Sequence, residues 1–196
     1  MTSGIRALLI AACAVLGAGG SSVAQGAWDI DALMRSFAAV KSAKGTFIER
    51  RHVPILTAPL EHSGTLAYMA PRRIEKRTLT PDPVTMIVDN DTLTVEEGAG
   101  GRRRTLLLRE HPVVWAFIES IRSTLAGDLA SLRRFYELRL EGDERQWRLL
   151  LLPHGAEMRD WVKEIRLGGR GNRITSVEVF ETGGGRSAMT ITGDAS

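Results

Sequence analysis

Ser63-Gly-Thr-Leu-Ala-Tyr-Met-Ala-Pro-Arg-Arg-Ile-Glu-Lys-Arg-Thr78 decides how the chain is read. It reads as two β-strands joined at Pro71. Leu66 and Tyr68 fall on one face of the first strand, and Thr65, Ala67 and Met69 on the other, the period-two pattern of a strand. Pro71 has no N–H for a ladder, so it marks a corner or an edge. Beyond it, Ile74, Lys76 and Thr78 alternate with Arg73, Glu75 and Arg77.

Working outward from this pair, an amphipathic helix is predicted over residues 28–41. Ile30, Leu33, Phe37 and Val40 recur at helical spacing, Asp29 is a candidate N-cap, and Lys44-Gly45 reads as the end of the helix. A strand over residues 46–53 puts Phe47 and Glu49 on one side. Pro54 and Pro59 bracket a loop with Ile55, Leu56 and Leu60, which either packs on the core or touches a ligand. After the central pair, strands 85–89 and 92–96 flank the tight turn Asn90-Asp91. A strand over residues 102–108 opens with three arginines, read as an edge blunted by charge and not as a binding patch.

A second helix is predicted over residues 111–125. Val114, Phe117, Ile118, Ile121 and Leu125 form its stripe, with Glu119 and Arg122 facing water. A short third helix is predicted over residues 128–134. Strands follow at 136–141, 146–152, 162–167, 173–181 and 187–191, with glycine turns at 142–143, 168–172 and 183–185. About ten short strands, mostly neighbours in sequence, favour an antiparallel meander. The expected fold class is α+β, mainly β: a strongly curved antiparallel sheet, a half-open barrel, enclosing or capped by two to three helices.

The first 24 residues form a targeting segment: Arg6, an apolar run from Ala7 to Gly17, then small residues ending in Ser22-Val23-Ala24. Cleavage after Ala24 would leave residues 25–196 as one domain, exported to the periplasm. Cys13 is the only cysteine, and Ile10-Ala11-Ala12-Cys13 has the look of a lipoprotein box. The favoured reading makes it one more small apolar residue of the signal segment, so that no disulfide, metal thiolate or cysteine nucleophile remains in the mature chain.

Of the 196 residues, 43% are hydrophobic and 25% charged, which suffices for a sizeable core. The net charge of +3 falls to +2 without Arg6, too little for a nucleic-acid footprint despite a pI near 9.4. No catalytic constellation is visible. His52, His62, His111 and His154 are scattered, and no His-Glu-x-x-His helix, Gly-x-Ser-x-Gly elbow or phosphate loop occurs. No catalytic residue, metal site or cofactor is therefore expected.

The segments from Ile30 to Val40, Lys44-Gly-Thr-Phe-Ile-Glu49, Gly64 to Ile74 and Val88-Asp-Asn-Asp-Thr-Leu93 come in an order and spacing that resembles the periplasmic carriers of outer-membrane lipoproteins, the LolA/LolB family. So does Ile165-Arg-Leu, followed by a glycine turn and Ile174-Thr-Ser-Val-Glu-Val-Phe-Glu-Thr-Gly183. The resemblance implies a carrier or chaperone that is not an enzyme. It would bind the acyl chains of lipoproteins, or other lipid-linked cargo, in an apolar cavity. It would be a monomer moving cargo from an inner-membrane transporter to an outer-membrane receptor, without nucleic acid or cofactor. An alternative is an envelope scaffold or regulator that uses the same fold to bind a protein.

Candidate wall residues are Phe47, Leu66, Tyr68, Met69, Ile74, Ile87, Leu93, Phe117, Ile118 and Ile121. Ordinary core packing is the alternative for each. Ile74 leads, because the resemblance places it at an apolar position used in cargo handling. Two departures point to a divergent branch. Ala70 stands where the family's carrier has a lid-closing arginine, and Glu75 and Lys76 stand where an aromatic is usual, so that gating mechanism does not transfer.

Overall fold

The computed structural model describes residues 28–98 and 101–195. The signal-segment reading of residues 1–24, with Cys13, lies outside them. Eleven strands are present among the described residues: β1 (Ser42–His52), β2 (Leu60–Met69), β3 (Arg73–Thr80), β4 (Val84–Asp89), β5 (Thr92–Glu97), β6 (Arg103–Leu107), β7 (Tyr136–Asp143), β8 (Gln146–Pro153), β9 (Val162–Arg170), β10 (Arg173–Glu181) and β11 (Arg186–Ala195). They form one antiparallel sheet in the order β6-β5-β4-β3-β2-β1-β11-β10-β9-β8-β7. Each half is a meander of sequence neighbours. The halves join where β1 pairs with β11, placing Phe47 opposite Ile191.

Among the described residues four α-helices accompany the sheet: α1 (Ile30–Ala38), α2 (Pro112–Ala126), α3 (Leu129–Phe135) and α4 (Ala156–Arg159). The Asp29 carboxylate accepts from the Ala32 N–H at 2.7 Å, the expected N-cap of α1. Pro112 opens α2, where a missing N–H costs no helical bond. Gly127 ends it in the left-handed region at φ 68°, and its N–H reaches the Thr124 carbonyl at 3.0 Å.

The core lies in two parts. In the larger, Leu33, Met34 and Phe37 of α1 meet Leu132 of α3 and Trp147, Leu149, Leu151, Ile165 and Leu167 of β8 and β9. Each such side chain contributes roughly 1.5–3 kcal/mol on burial. The Trp147 and Phe37 rings pack edge to face with their centroids 5.7 Å apart, and the Trp147 indole N–H donates to the Gly171 carbonyl at 2.9 Å. In the smaller, Ile118 of α2 packs on Val88, Leu93 and Leu108.

Four local expectations are corrected. Helix α1 stops at Ala38, and Gly45 lies inside β1 instead of ending the helix. Close pairing with β11 requires the glycine, since a Cβ would sit 2.8 Å from the Thr192 carbonyl oxygen. Gly168 and Gly169 belong to β9, not to a turn, because the Trp147 ring occupies the space of a Gly169 side chain. Glu119 and Arg122 do not face water: they pair with each other, both largely buried. Arg122 also donates to the Asn90 carbonyl at 3.1 Å, tying α2 to the β4–β5 turn. Finally, the strands number eleven, and β1 and β11 extend beyond the predicted spans because each satisfies the other's backbone groups. The arginine-rich strand is an edge, as expected: β6 is an outermost strand, and Arg102, Arg103 and Arg104 are exposed.

Candidate functional site

Residues directly opposite one another in antiparallel strands share a face. One face of the sheet carries successive rows that cross several strands. The row of Tyr68 runs through Ala43, Tyr68, Ile74, Val88 and Leu93. Further along the same face lie Val177 and Val179 of β10 beside Met189 and Ser187 of β11. Helices α1 and α2 lie over this face, and between the two core clusters a cavity of about 760 Å³ remains. This lies within the range of about 300–1,000 Å³ common for small-molecule sites.

Seven of the ten candidate wall residues line this cavity: Leu66, Tyr68, Ile74, Leu93, Phe117, Ile118 and Ile121. Three do not. Phe47 shares the cavity face but is fully buried, with the Lys76 ammonium 4.9 Å from its ring centroid. Met69 is 60% exposed and lies on the opposite face of β2 from Tyr68. Ile87 pairs with Glu75 and Thr94, also on the far face. Strand alternation settles both: odd and even positions of a strand cannot share one wall.

Sequence reasoning missed the wall from the other half of the sheet. Val177, Val179, Met189 and Ile191 line the cavity, as do Phe37 of α1 and Val40 just beyond that helix. The signal was the period-two alternation in β10 and β11, but nothing local says that β11 returns beside β1.

The wall is not wholly apolar. Lys76 of β3 donates to Glu49 of β1 at 2.5 Å, and Ser187 of β11 donates to the same carboxylate. Gly64, between Phe47 and Thr78, offers no side chain to obstruct the lysine. Burial alone would raise the Glu49 carboxyl, but the hydrogen bonds from Lys76 and Ser187, with the charges of Lys76 and His62, hold it below the ordinary value. Arg51 pairs with Glu181 at 3.1 Å, and both line the cavity near Trp161, which is 65% exposed. Among the described residues, no group of three or more His, Cys, Asp or Glu side chains is placed to hold a metal ion.

Such an arrangement can sequester an apolar molecule, with charged pairs on one part of its wall. It defines a β-sheet cavity protein. Residues 22–196 match the model of the family described as outer membrane lipoprotein carrier protein LolA-like, and the chain belongs to that family. Its fold is LolA-like. Among curated proteins none matches.

Several solved structures are similar in fold. A LolA superfamily protein from Nitrosomonas europaea is 10% identical over 82% of this chain and 90% of its own, with a TM-score of 0.44. A putative outer membrane lipoprotein-sorting protein domain from Vibrio parahaemolyticus is 9% identical over 83% and 88%, with a TM-score of 0.42. A chain of the MucA/MucB complex of Pseudomonas aeruginosa is 15% identical over 86% of this chain with a TM-score of 0.47, and the alignment spans 58% of that chain.

Proposed function

We propose that the protein is a periplasmic carrier that holds the acyl chains of lipoproteins, or of related lipids, in its cavity and moves them toward the outer membrane. The observation that supports this most is the cavity itself, walled mainly by aliphatic side chains between two separate cores. Acyl chains in water expose apolar area at a cost of roughly 25 cal/mol per Å². An apolar cavity removes that cost, and few directional contacts on the wall let the cargo leave again.

In this reading residues 1–24 direct export and are cleaved after Ala24, and the remainder acts as one monomeric domain. The sheet wraps the helices as a half-open barrel. An inner-membrane transporter loads the carrier and an outer-membrane receptor unloads it. No catalytic residue is asked for. Native mass spectrometry of the protein purified without detergent tests the reading. An acylated molecule at one per chain is expected; an empty protein that also refuses added lipid overturns it.

A second reading, a scaffold or regulator that binds a protein partner, is favoured by one observation. The β1–β2 loop does not pack on the core: Ile55 is 88% exposed, and Leu56 is exposed beside it. Exposed aliphatic side chains at a hairpin tip suit a partner surface.

A further inference from the structure

The inference deepens the carrier reading and rests on it. Two charged pairs lie on the cavity wall, Lys76 with Glu49 and Arg51 with Glu181. Glu49 and Arg51 are two residues apart in β1, so they share its cavity face, about 7 Å from each other along the strand. Ser187 of β11 stands opposite Arg51 and donates to Glu49, so the two pairs form one polar stripe from β3 across β1 to β10. The stripe runs from depth to surface. The side chains of Glu49 and Lys76 are 14% and 28% exposed, those of Glu181 and Arg51 36% and 49%.

Trp161 lines the cavity at the exposed end of the stripe. It precedes β9, whose Val162 pairs with Glu181, and its carbonyl accepts from the Thr182 N–H at 3.0 Å. Among the described residues it is the one aromatic in the set of exposed large apolar side chains. Fold stability accounts for little of this. Ion pairs as open to water as Arg51–Glu181 contribute little, and an exposed indole buries little area.

The chemistry of the stripe indicates what it holds. Two cations and two carboxylates cancel, so neither an anionic nor a cationic group gains net attraction from it. Its spare hydrogen-bonding capacity is of both kinds. The Lys76 ammonium has three N–H donors and the Arg51 guanidinium five, of which one each goes to Glu49 and Glu181. The four carboxylate oxygens of Glu49 and Glu181 accept only three bonds, one of them from Ser187, though each can accept two. A hydroxyl uses both kinds, donating to a carboxylate while accepting from a cation. An open indole beside such groups suits the C–H face of a sugar ring.

We propose that this stripe and Trp161 form a head-group site, and that the cavity's occupant carries a neutral polyhydroxylated head, a sugar, at this end, with its apolar chain between the two cores. The site thereby selects for the head of the cargo, where the aliphatic wall selects only for its chain.

The test compares amphiphiles with one chain length and different heads, titrated calorimetrically into the full chain below their critical micelle concentrations: dodecyl maltoside, dodecyl octaethylene glycol ether, dodecylphosphocholine and laurate. Hydrogen bonds to charged groups set the expected preference for the maltoside over the other three at about 10-fold or more. Arg51→Ala and Trp161→Ala, both at exposed positions, should bring the four affinities together without lowering the melting temperature. Equal affinities for the maltoside and the glycol ether in the wild type overturn the inference. So does tighter binding of laurate or the phosphocholine, which would assign the stripe to a charged head. A maltoside preference that survives both substitutions places the sugar elsewhere and also overturns it. These results leave the carrier reading standing. A wild type that binds none of the four removes the carrier reading and this inference with it. Free maltose separates the two sources of a sugar. No binding of it is expected; binding as tight as that of the maltoside would make the occupant a soluble sugar and overturn the inference.

Discussion

Lys76 and Glu49 meet beside the buried ring of Phe47, with the ammonium 2.5 Å from the carboxylate and over the ring, 4.9 Å from its centroid. The pair joins β3 to β1 over the intervening β2, and Ser187 extends it to β11. It is a polar tie across the middle of the cavity wall, at the seam where the two meanders meet. Both side chains are more than two-thirds buried, so neither is a freely solvated charge.

Removing the ammonium should therefore be felt. Lys76→Met keeps the aliphatic stem over Phe47 but leaves Glu49 with Ser187 as its remaining hydrogen-bond donor. A loss of about 1–2 kcal/mol at pH 7 is expected, less than for a fully buried pair because water reaches the lysine. Urea denaturation measures it; a variant as stable as the wild type would show the pair to be incidental.

The same carboxylate sets a pH dependence. Glu49 is held below its ordinary value of 4.5, so the folded state takes up its proton at lower pH than the unfolded chain does. Its contribution is full above about pH 4.5 and fades as the pH falls below that toward the folded-state value. Glu49→Gln should flatten this acid limb while leaving the other carboxylates to titrate. Stability curves from pH 7 to pH 3 for both proteins check the sign.

Ile74 lies in the Tyr68 row and lines the cavity, whereas Met69 lies on the opposite, exposed face. Ile74→Trp should consume cavity volume and lower lipid affinity, with stability within about 1 kcal/mol of wild type. Met69→Trp should leave both unchanged. Lipid titration of the two variants separates a cavity effect from a general effect of the larger side chain.

Gly127 holds the corner between α2 and α3 at φ 68°, and a Cβ there would sit 2.2 Å from the Met34 carbonyl oxygen of α1. Gly127→Ala combines left-handed strain with a backbone clash. It is expected to cost about 2 kcal/mol or more. The readout is the urea midpoint, with Gly171→Ala as comparison, where the φ is also positive but no atom lies within 4 Å.

The exposed loop separates the two functional readings. Ile55→Ser and Leu56→Ser should change stability by no more than about 0.5 kcal/mol. If the loop is a partner surface, they abolish binding of a partner protein while lipid titration stays as in the wild type. If lipid titration alone is altered, the loop serves the cavity instead.

Much of this protein was legible in the chain itself. Alternation in Leu66, Tyr68, Ile74 and Leu93, and the 3.6-residue stripe of Phe117, Ile118 and Ile121, are local patterns, because each element must bury one face and periodicity records which. Turn residues such as Asn90 and the N-cap Asp29 act within three or four residues, so they too are readable. What the tertiary structure decided was everything that depends on distant segments meeting. The pairing of β1 with β11 turned Gly45 from an expected helix end into a strand residue. It also brought Val177 and Met189 to the cavity that Ile74 lines and placed Ser187 on Glu49. Met69 and Ile87 show the same limit from the other side: apolar residues in cavity strands, they point away, because which face of a sheet becomes the inside is settled by where the helices pack and not by any one strand.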